Sequence, residues 1–262
     1  MYKFPQITLL ITHFNRSKSL ENLLISFKDL DCEFGEIIVS DDGSQLKHLD
    51  YLNSLKIKYQ IKIITTSLNK GLGNNINKGQ DMVKTPYTLY IQEDFIPLKV
   101  FPEKLKSSLS FLNENLELDI VRFWSYYPYP YLKPYSDGFS EMCLKAFASD
   151  YSKIYCYGDT PHLRRSTFLK KFGRYKEGIP GDRTEYKMCI SFIQNKGKGL
   201  FYDDCQSLFI HENSIDEPST MARVSWRQGN NFFLKTLRNV YRQIKYNYDI
   251  LLMSGLKKNG KL

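Results

Sequence analysis

Two acidic turns, each closing an apolar run, constrain this chain more than any other feature. Ile37-Ile38-Val39 runs into Ser-Asp-Asp-Gly-Ser at residues 40–44, and Tyr87 to Ile91 runs into Gln92-Glu93-Asp94-Phe95. Between them, residues 69–79 read Asn-Lys-Gly-Leu-Gly-Asn-Asn-Ile-Asn-Lys-Gly. Short β-branched runs bounded by polar residues read as buried strands. In an open α/β sheet the carboxyl ends of such strands form the rim where ligands and metal ions collect. Acids at two of these ends therefore predict a sheet with a polar site along one edge.

The flanking pattern agrees. Ile7 to Thr12, Glu36 to Ser40, Ile61 to Thr65 and Tyr87 to Ile91 read as strands. Ser17 to Leu30, His48 to Leu55 and Gly71 to Met82 read as the helices between them. Alternation at this spacing predicts βαβ units and a mainly parallel, open Rossmann-like sheet flanked by helices. Further on, Phe101 to Asn115 reads as a helix and Ile120 to Trp124 as a strand. The Pro- and Tyr-rich run 126–135 reads as a substrate-side loop, because Pro cannot serve a central strand. Leu163 to Phe172 and Thr184 to Gln194 read as helices, Gly199 to His211 as one strand, and Arg223 to Met253 as a long amphipathic helical region.

With 262 residues, 42% hydrophobic and 15% aromatic, the chain can build one large α/β domain, which excludes a disordered chain. The expected division is a domain over residues 1–221, its nucleotide-binding half being 1–98 and its acceptor half 99–221, followed by a basic region over 222–262. No apolar run approaches the ~20 residues of a membrane span. Ile7 to Ile11 is too short for a signal-peptide core, so a cytoplasmic protein is expected. The five cysteines form no CxxC pair and read as reduced, structural thiols. Residues 222–262 carry nine Lys or Arg against Asp249 alone, so this segment holds +8 of the net +9. That asymmetry excludes a broad nucleic-acid-binding face on the main domain and asks what the tail touches.

The acids carry the chemistry. A carboxylate of Asp41 or Asp42 can accept from a base N–H or a ribose hydroxyl, although Asp-Asp-Gly-Ser is also sound turn chemistry by itself. Glu93 and Asp94 follow a buried strand directly, where an acidic pair is costly unless it reaches solvent or a cation. Mg²⁺ is commonly held by one or two carboxylates together with substrate phosphates, which suits a nucleoside diphosphate.

Residues 5–98 resemble the family-2 glycosyltransferases of the GT-A fold, through ITLLITHFNR, IIVSDDGS and NKGLGNNINKGQDMVKTPYTLYIQED in order. The resemblance implies a nucleotide-sugar donor, a UDP-sugar first, lying across the strand ends with Mn²⁺ or Mg²⁺. It places Thr12, His13, Asn15 and Arg16 along the nucleotide pocket. Asp42, with Asp41 as second choice, matches the base- or ribose-binding aspartate. Asn69, Gly71 and Asn74 match the approach to ribose and diphosphate. Glu93 and Asp94 stand in the Asp-x-Asp motif. Gln92 occupies its first position, which leaves Asp94 as the expected metal ligand.

An inverting displacement needs a carboxylate to take the acceptor's proton. Asp182, in Gly-Asp before a helix, resembles the second acid of the family's Glu-Asp pair and is the first candidate base, with Glu185 the second. The competing reading is a capping box, Asp with Glu three residues on. His211 matches by order a late histidine that serves GT-A enzymes as a metal ligand; an ordinary surface histidine is the alternative. His162 with Arg164 and Arg165 reads as a solvated basic turn, or as a group facing diphosphate or acceptor.

In the tail, Phe233, Leu237, Val240, Tyr241, Ile244 and Tyr248 recur at helical spacing among Lys235, Arg238, Arg242 and Lys245. Residues 232–253 can therefore rest on an anionic membrane surface as a peripheral contact, pack on their own domain, or join a homodimer. The expected acceptor is a polysaccharide or lipid-linked glycan. Two other readings stand beside this one: a sugar-phosphate nucleotidyltransferase, disfavoured because residues 13–19 contain no glycine, and a non-catalytic glycan-binding protein on the same fold.

Overall fold

The computed structural model describes residues 1–143, 150–212, 217 and 232–256. Four parallel strands form one half of the main sheet: β1 (Tyr2–His13), β2 (Cys32–Asp41), β3 (Lys62–Ile64) and β4 (Tyr87–Gln92). Helices α1 (Ser17–Asp29), α2 (Leu46–Lys58) and α3 (Leu72–Met82) connect them. After β5 (Phe95–Pro97) and α4 (Phe101–Glu114) come β6 (Ile120–Arg122), β7 (Leu132–Ser136) and β8 (Phe139–Met142). A 3₁₀ turn at Tyr151–Cys156 leads to β9 (His162–Arg165), α5 (Phe168–Phe172), α6 (Gly181–Gln194), β10 (Gly199–Tyr202) and β11 (Phe209–His211). Helix α7 (Phe232–Leu252) follows. The nine-stranded order is β3-β2-β1-β4-β9-β6-β10-β8-β7, and β5 pairs with β11 in a small second sheet.

Strand alternation divides the core into two layers. Leu9 and Ile11 of β1, Val39, Leu89 and Ile91 face α1, α2 and α4. Leu10, Ile38 and Tyr90 face α3, α5 and α6. Helix α3 lies close to the sheet because Gly79 has no Cβ: one built there would stand 2.5 Å from Leu10 Cδ1.

Three expectations are corrected. Residues 163–172 are not one helix. β9 fills the slot between β4 and β6, antiparallel to both, and only Phe168–Phe172 is helical. The stretch 199–211 is two short strands in different sheets. The Pro-rich run ends in a strand, but β7 is an edge strand, which is where Pro134 is tolerated. Helix α7, by contrast, packs its inner face on α6: Ile250 is buried and the Tyr186 hydroxyl donates to Asp249 at 2.5 Å. Among the described residues no helix is long and apolar enough to cross a membrane.

Candidate active site

The loops after β1, β2 and β3 are stitched together by the first acidic turn. Asp41 is fully buried, and its oxygens take His13 Nδ1 at 2.8 Å, the Ser44 hydroxyl at 2.5 Å, Thr65 Oγ1 at 2.6 Å and two backbone N–H groups. Burial pushes this carboxyl up, but those donors outweigh it and hold it well below the usual carboxylate range. Asp42 accepts from the backbone N–H of Lys70 at 2.8 Å and Gly71 at 2.9 Å, which fixes the start of α3. Gly71 has φ +85°, a conformation that favours glycine.

Of the residues expected along the nucleotide pocket, Thr12 turns inward, 3.1 Å from the Tyr90 hydroxyl, and His13 is buried against Asp41. Asn15 bridges to the β2 loop, accepting from Gln45 N–H at 2.8 Å. Asn69 is exposed, while Asn74 donates to Glu177 at 2.8 Å and leaves its buried Oδ1 without a partner.

The second acidic turn is drier than the sequence implies, with Glu93 and Asp94 both buried. Asp94 Oδ2 meets Arg16 Nη1 at 2.6 Å and His211 Nε2 at 3.1 Å. Burial raises the Asp94 carboxyl, but the His211 hydrogen bond and the Arg16 charge bring it below its ordinary value. Glu93 is pushed up by burial, then by the Asp94 charge. His211 comes from β11, whose pairing with β5 sets His211 opposite Phe95. His211 is half-buried, with its ring stacked on Phe95 at 4.7 Å and its Nε2 in contact with Asp94.

The N-terminus of α6 reaches the same rim because α3 is laced to the chain before it. A Cβ on Gly73 would stand 2.4 Å from the Lys176 carbonyl oxygen, and Asn77 donates to the Tyr175 carbonyl at 2.9 Å. The capping-box reading is corrected: the N-cap is Pro180 and no side chain caps the helix. Asp182 is exposed and its Oδ1 accepts only its neighbour's N–H, from Arg183 at 2.9 Å. Glu185 points inward, its Oε1 accepting the Asp159 N–H at 3.1 Å, and burial pushes it up.

Asp159 is the acid that sequence reasoning passed over. β9 runs antiparallel to β4 with His162 opposite Tyr90, so the residues just before His162 flank the end of β4. Asp159 is buried, takes the Tyr157 hydroxyl at 2.9 Å and keeps Oδ2 without a partner. Burial and the Glu185 charge push its carboxyl up. The solvated-turn reading of His162 and Arg164 is also corrected. Both are fully buried, and Arg164 donates to Tyr175 Oη at 2.6 Å and Gln80 Oε1 at 2.9 Å. A cleft of about 380 Å³ lined by Thr65, Asn74, Lys78 and Arg174 opens beside the first acidic turn, where the Thr65 hydroxyl donates to Asp41, and its Arg174 and Asp81 are paired with each other.

Strand-end acids on a sheet of this order find a counterpart in a known family. The model described as "Glycosyl transferase family 2" matches residues 8–173. The chain belongs to this family. Poly-beta-1,6-N-acetyl-D-glucosamine synthase of Staphylococcus epidermidis is 24% identical over 90 residues, 34% of this chain and 22% of the synthase. The chain thus aligns with well under half the length of that relative. Among solved structures, S. aureus TarS 1-349 in complex with UDP superposes with a TM-score of 0.60 at 17% identity, covering 98% of this chain and 66% of that one. The same protein with UDP-GlcNAc gives 0.58 at 15% identity, over 94% and 70%. The mannosyltransferase PcManGT of Pyrobaculum calidifontis, in complex with GDP-Man and Mn²⁺, gives 0.54 at 9% identity, over 77% and 57%. The fold is GT-A.

As a family-2 member the chain raises the question of a metal, and its residues fit one. Asp94 Oδ1 is buried with no hydrogen-bond partner, and an imidazole nitrogen stands beside its other oxygen. A carboxylate and an imidazole are ordinary donors to Mn²⁺. Among the described residues no third His, Cys, Asp or Glu closes the site. The remaining positions would fall to substrate phosphates and water.

Proposed function

We propose that this family-2 protein transfers a sugar, with inversion, from a nucleoside-diphosphate donor to a hydroxyl of a glycan acceptor. Asp94 and His211 hold Mn²⁺ or Mg²⁺ in this reading. The observation that carries it is the Asp94 carboxylate, buried at a strand end with Oδ1 unpartnered and His211 in contact with Oδ2. UDP-GlcNAc in TarS supports a UDP-sugar donor, and the synthase, named for a polysaccharide, supports a polymeric glycan acceptor.

When bound, the ion supplies electrostatic stabilisation of the departing diphosphate. The chain's own residues do the rest. Asp42 fixes the 69–71 loop, where Gly71 lets ribose and phosphate approach the backbone beside Asn69 and Asn74. Asp41 and His13 brace that rim from beneath, while Thr12 ties β1 to β4. Asn15 stands at its surface. Asp182 takes the acceptor proton at Oδ2, since Oδ1 faces the Arg183 N–H. Glu185 is the alternative base. The exposed side of α7 faces an anionic membrane surface at the cytoplasmic side; a second copy is the other occupant.

Titration calorimetry with UDP-, GDP- and CDP-sugars plus Mn²⁺ tests the reading. A UDP-sugar should bind in a Mn²⁺-dependent manner, and Asp94→Ala should remove that dependence. No heat with any nucleotide sugar would overturn it.

A further inference from the structure

Arg16 stands among the residues expected to line the nucleotide pocket, yet all three of its guanidinium nitrogens are spent elsewhere. Nη1 donates to Asp94 Oδ2 at 2.6 Å, Nε to the Glu217 carbonyl at 3.1 Å and Nη2 to the Glu212 carbonyl at 3.2 Å. Side-chain exposure in the ion pair is 5% for Arg16 and 9% for Asp94, so water screens it little. The Arg16 backbone is held separately. Its N–H donates to His13 Nε2 at 3.2 Å and its carbonyl accepts from Leu20 at the start of α1. Releasing the guanidinium would break those three contacts and leave the backbone anchors of Arg16 intact.

A divalent cation taken by Asp94 Oδ1 and His211 would stand against a buried guanidinium of the same sign on Oδ2 of the same carboxylate. In so dry a site the two cannot both be accommodated there. We propose that Arg16 is the resident counter-ion of Asp94 in the donor-free protein, that a divalent cation takes Asp94 only by displacing it, and that the freed guanidinium passes to the donor's diphosphate. The exchange leaves Asp94 with a cationic partner throughout, and the planar fork that leaves a carboxylate suits phosphate oxygens equally well. It also couples metal loading to the chain beyond His211, because Glu212 and Glu217 tether Arg16. Glu217 in turn caps α1, accepting from Ser19 N–H at 2.9 Å and Lys18 N–H at 3.1 Å. The inference rests on Asp94 as a metal ligand.

Direct titration of the full chain with Mn²⁺, following free Mn²⁺ by electron paramagnetic resonance and without donor, tests it. Arg16→Met should bind Mn²⁺ at least about tenfold tighter than the natural protein. Adding Asp94→Asn to that variant should abolish the gain. UDP should tighten Mn²⁺ binding more in the natural protein than in Arg16→Met, because only the former has a guanidinium to relocate. Equal affinities with and without Arg16 would sink the competition and leave the metal assignment standing. No Mn²⁺ binding in any variant would overturn both. If Arg16→Met does not fold, Arg16→Gln carries the test: its amide can still donate to the backbone carbonyls but brings no charge to Asp94, so its Mn²⁺ affinity should exceed that of the natural protein, and equality there overturns the proposal.

Discussion

Asp182 and Glu185 stand about one turn apart on α6, and their surroundings divide the work between them. Asp182 is exposed and engages only the N–H of Arg183. Glu185 is held inward by the Asp159 N–H, beside a Gly158 whose absent Cβ would lie 3.0 Å from Glu185 Oε1 and 2.5 Å from Arg122 Nη2. A base must reach the acceptor hydroxyl, and a freely exposed carboxylate does so without breaking a buried contact. Asp182→Asn should therefore lower turnover by about 10²–10⁴-fold while donor affinity, read by calorimetry, stays unchanged. Glu185→Gln keeps the acceptor oxygen for Asp159 and should retain most activity. The opposite pattern would transfer the role of base to Glu185.

At the scale of elements, α7 has one face packed on the domain and one exposed. Tyr246, Asp249 and Ile250 turn to α6 and the 3₁₀ turn, with Tyr246 and Tyr186 rings 5.2 Å apart. Leu237, Val240, Tyr241, Ile244, Tyr248 and Leu251 are all more than half exposed and recur at helical spacing along the opposite face. An apolar stripe in the segment that holds nearly all the net charge is suited to an anionic bilayer, whereas a second copy would bring like charge against like. Leu237→Gln combined with Ile244→Gln and Leu251→Gln should cut sedimentation with phosphatidylserine vesicles at least about tenfold, with melting shifted little because exposed positions are replaced. Loss of a dimer in light scattering, with vesicle binding intact, would assign the stripe to self-association. The stripe was legible in the sequence, as were β1 to β4, because each is a periodic run read from neighbours in the chain. β9 was not. Its His-Leu-Arg-Arg run reads as polar, and it is Tyr175 and Gln80, with the rings of Tyr90 and Phe168, all brought in by the fold, that make a buried arginine acceptable. For the same reason Asp94 could be picked from its strand end, but neither Asp159 nor the Arg16 contact could. Their partners lie 26 and 78 residues away.

Across the whole molecule, buried ionisable groups pull stability in opposite directions as pH changes. Asp41 is held well below its ordinary range, so its contribution is present above about pH 4 and is lost as pH falls through its lowered pKa. His162 is buried neutral, its imidazole pushed well down by burial and the Arg164 charge. Its contribution is present above about pH 6.5 and is likewise lost on acidification. Asp159 has the opposite sign. Burial and Glu185 push it up to about 8, so it favours the folded state fully below about pH 4 and that advantage is lost as pH rises through about 8. Glu185, raised by burial, adds to the same slope. Below about pH 6.5 the His162 contribution opposes the Asp159 loss; above it that opposition ends, so stability should fall from about pH 6.5 and level off above about pH 8. Net charge alone predicts the reverse, because a protein carrying +9 at pH 7 approaches its pI of about 9.1 and loses self-repulsion. The sign of the slope thus separates the two effects. Calorimetric melting of the natural protein should drop by at least about 2–4 °C between pH 6.5 and 9, the change expected for roughly 1 kcal/mol in a chain of this size. Asp159→Asn keeps the shape of the neutral acid and cannot ionise, so its melting temperature should change less over that interval. Parallel slopes in the two proteins would show that Asp159 does not carry the alkaline limb.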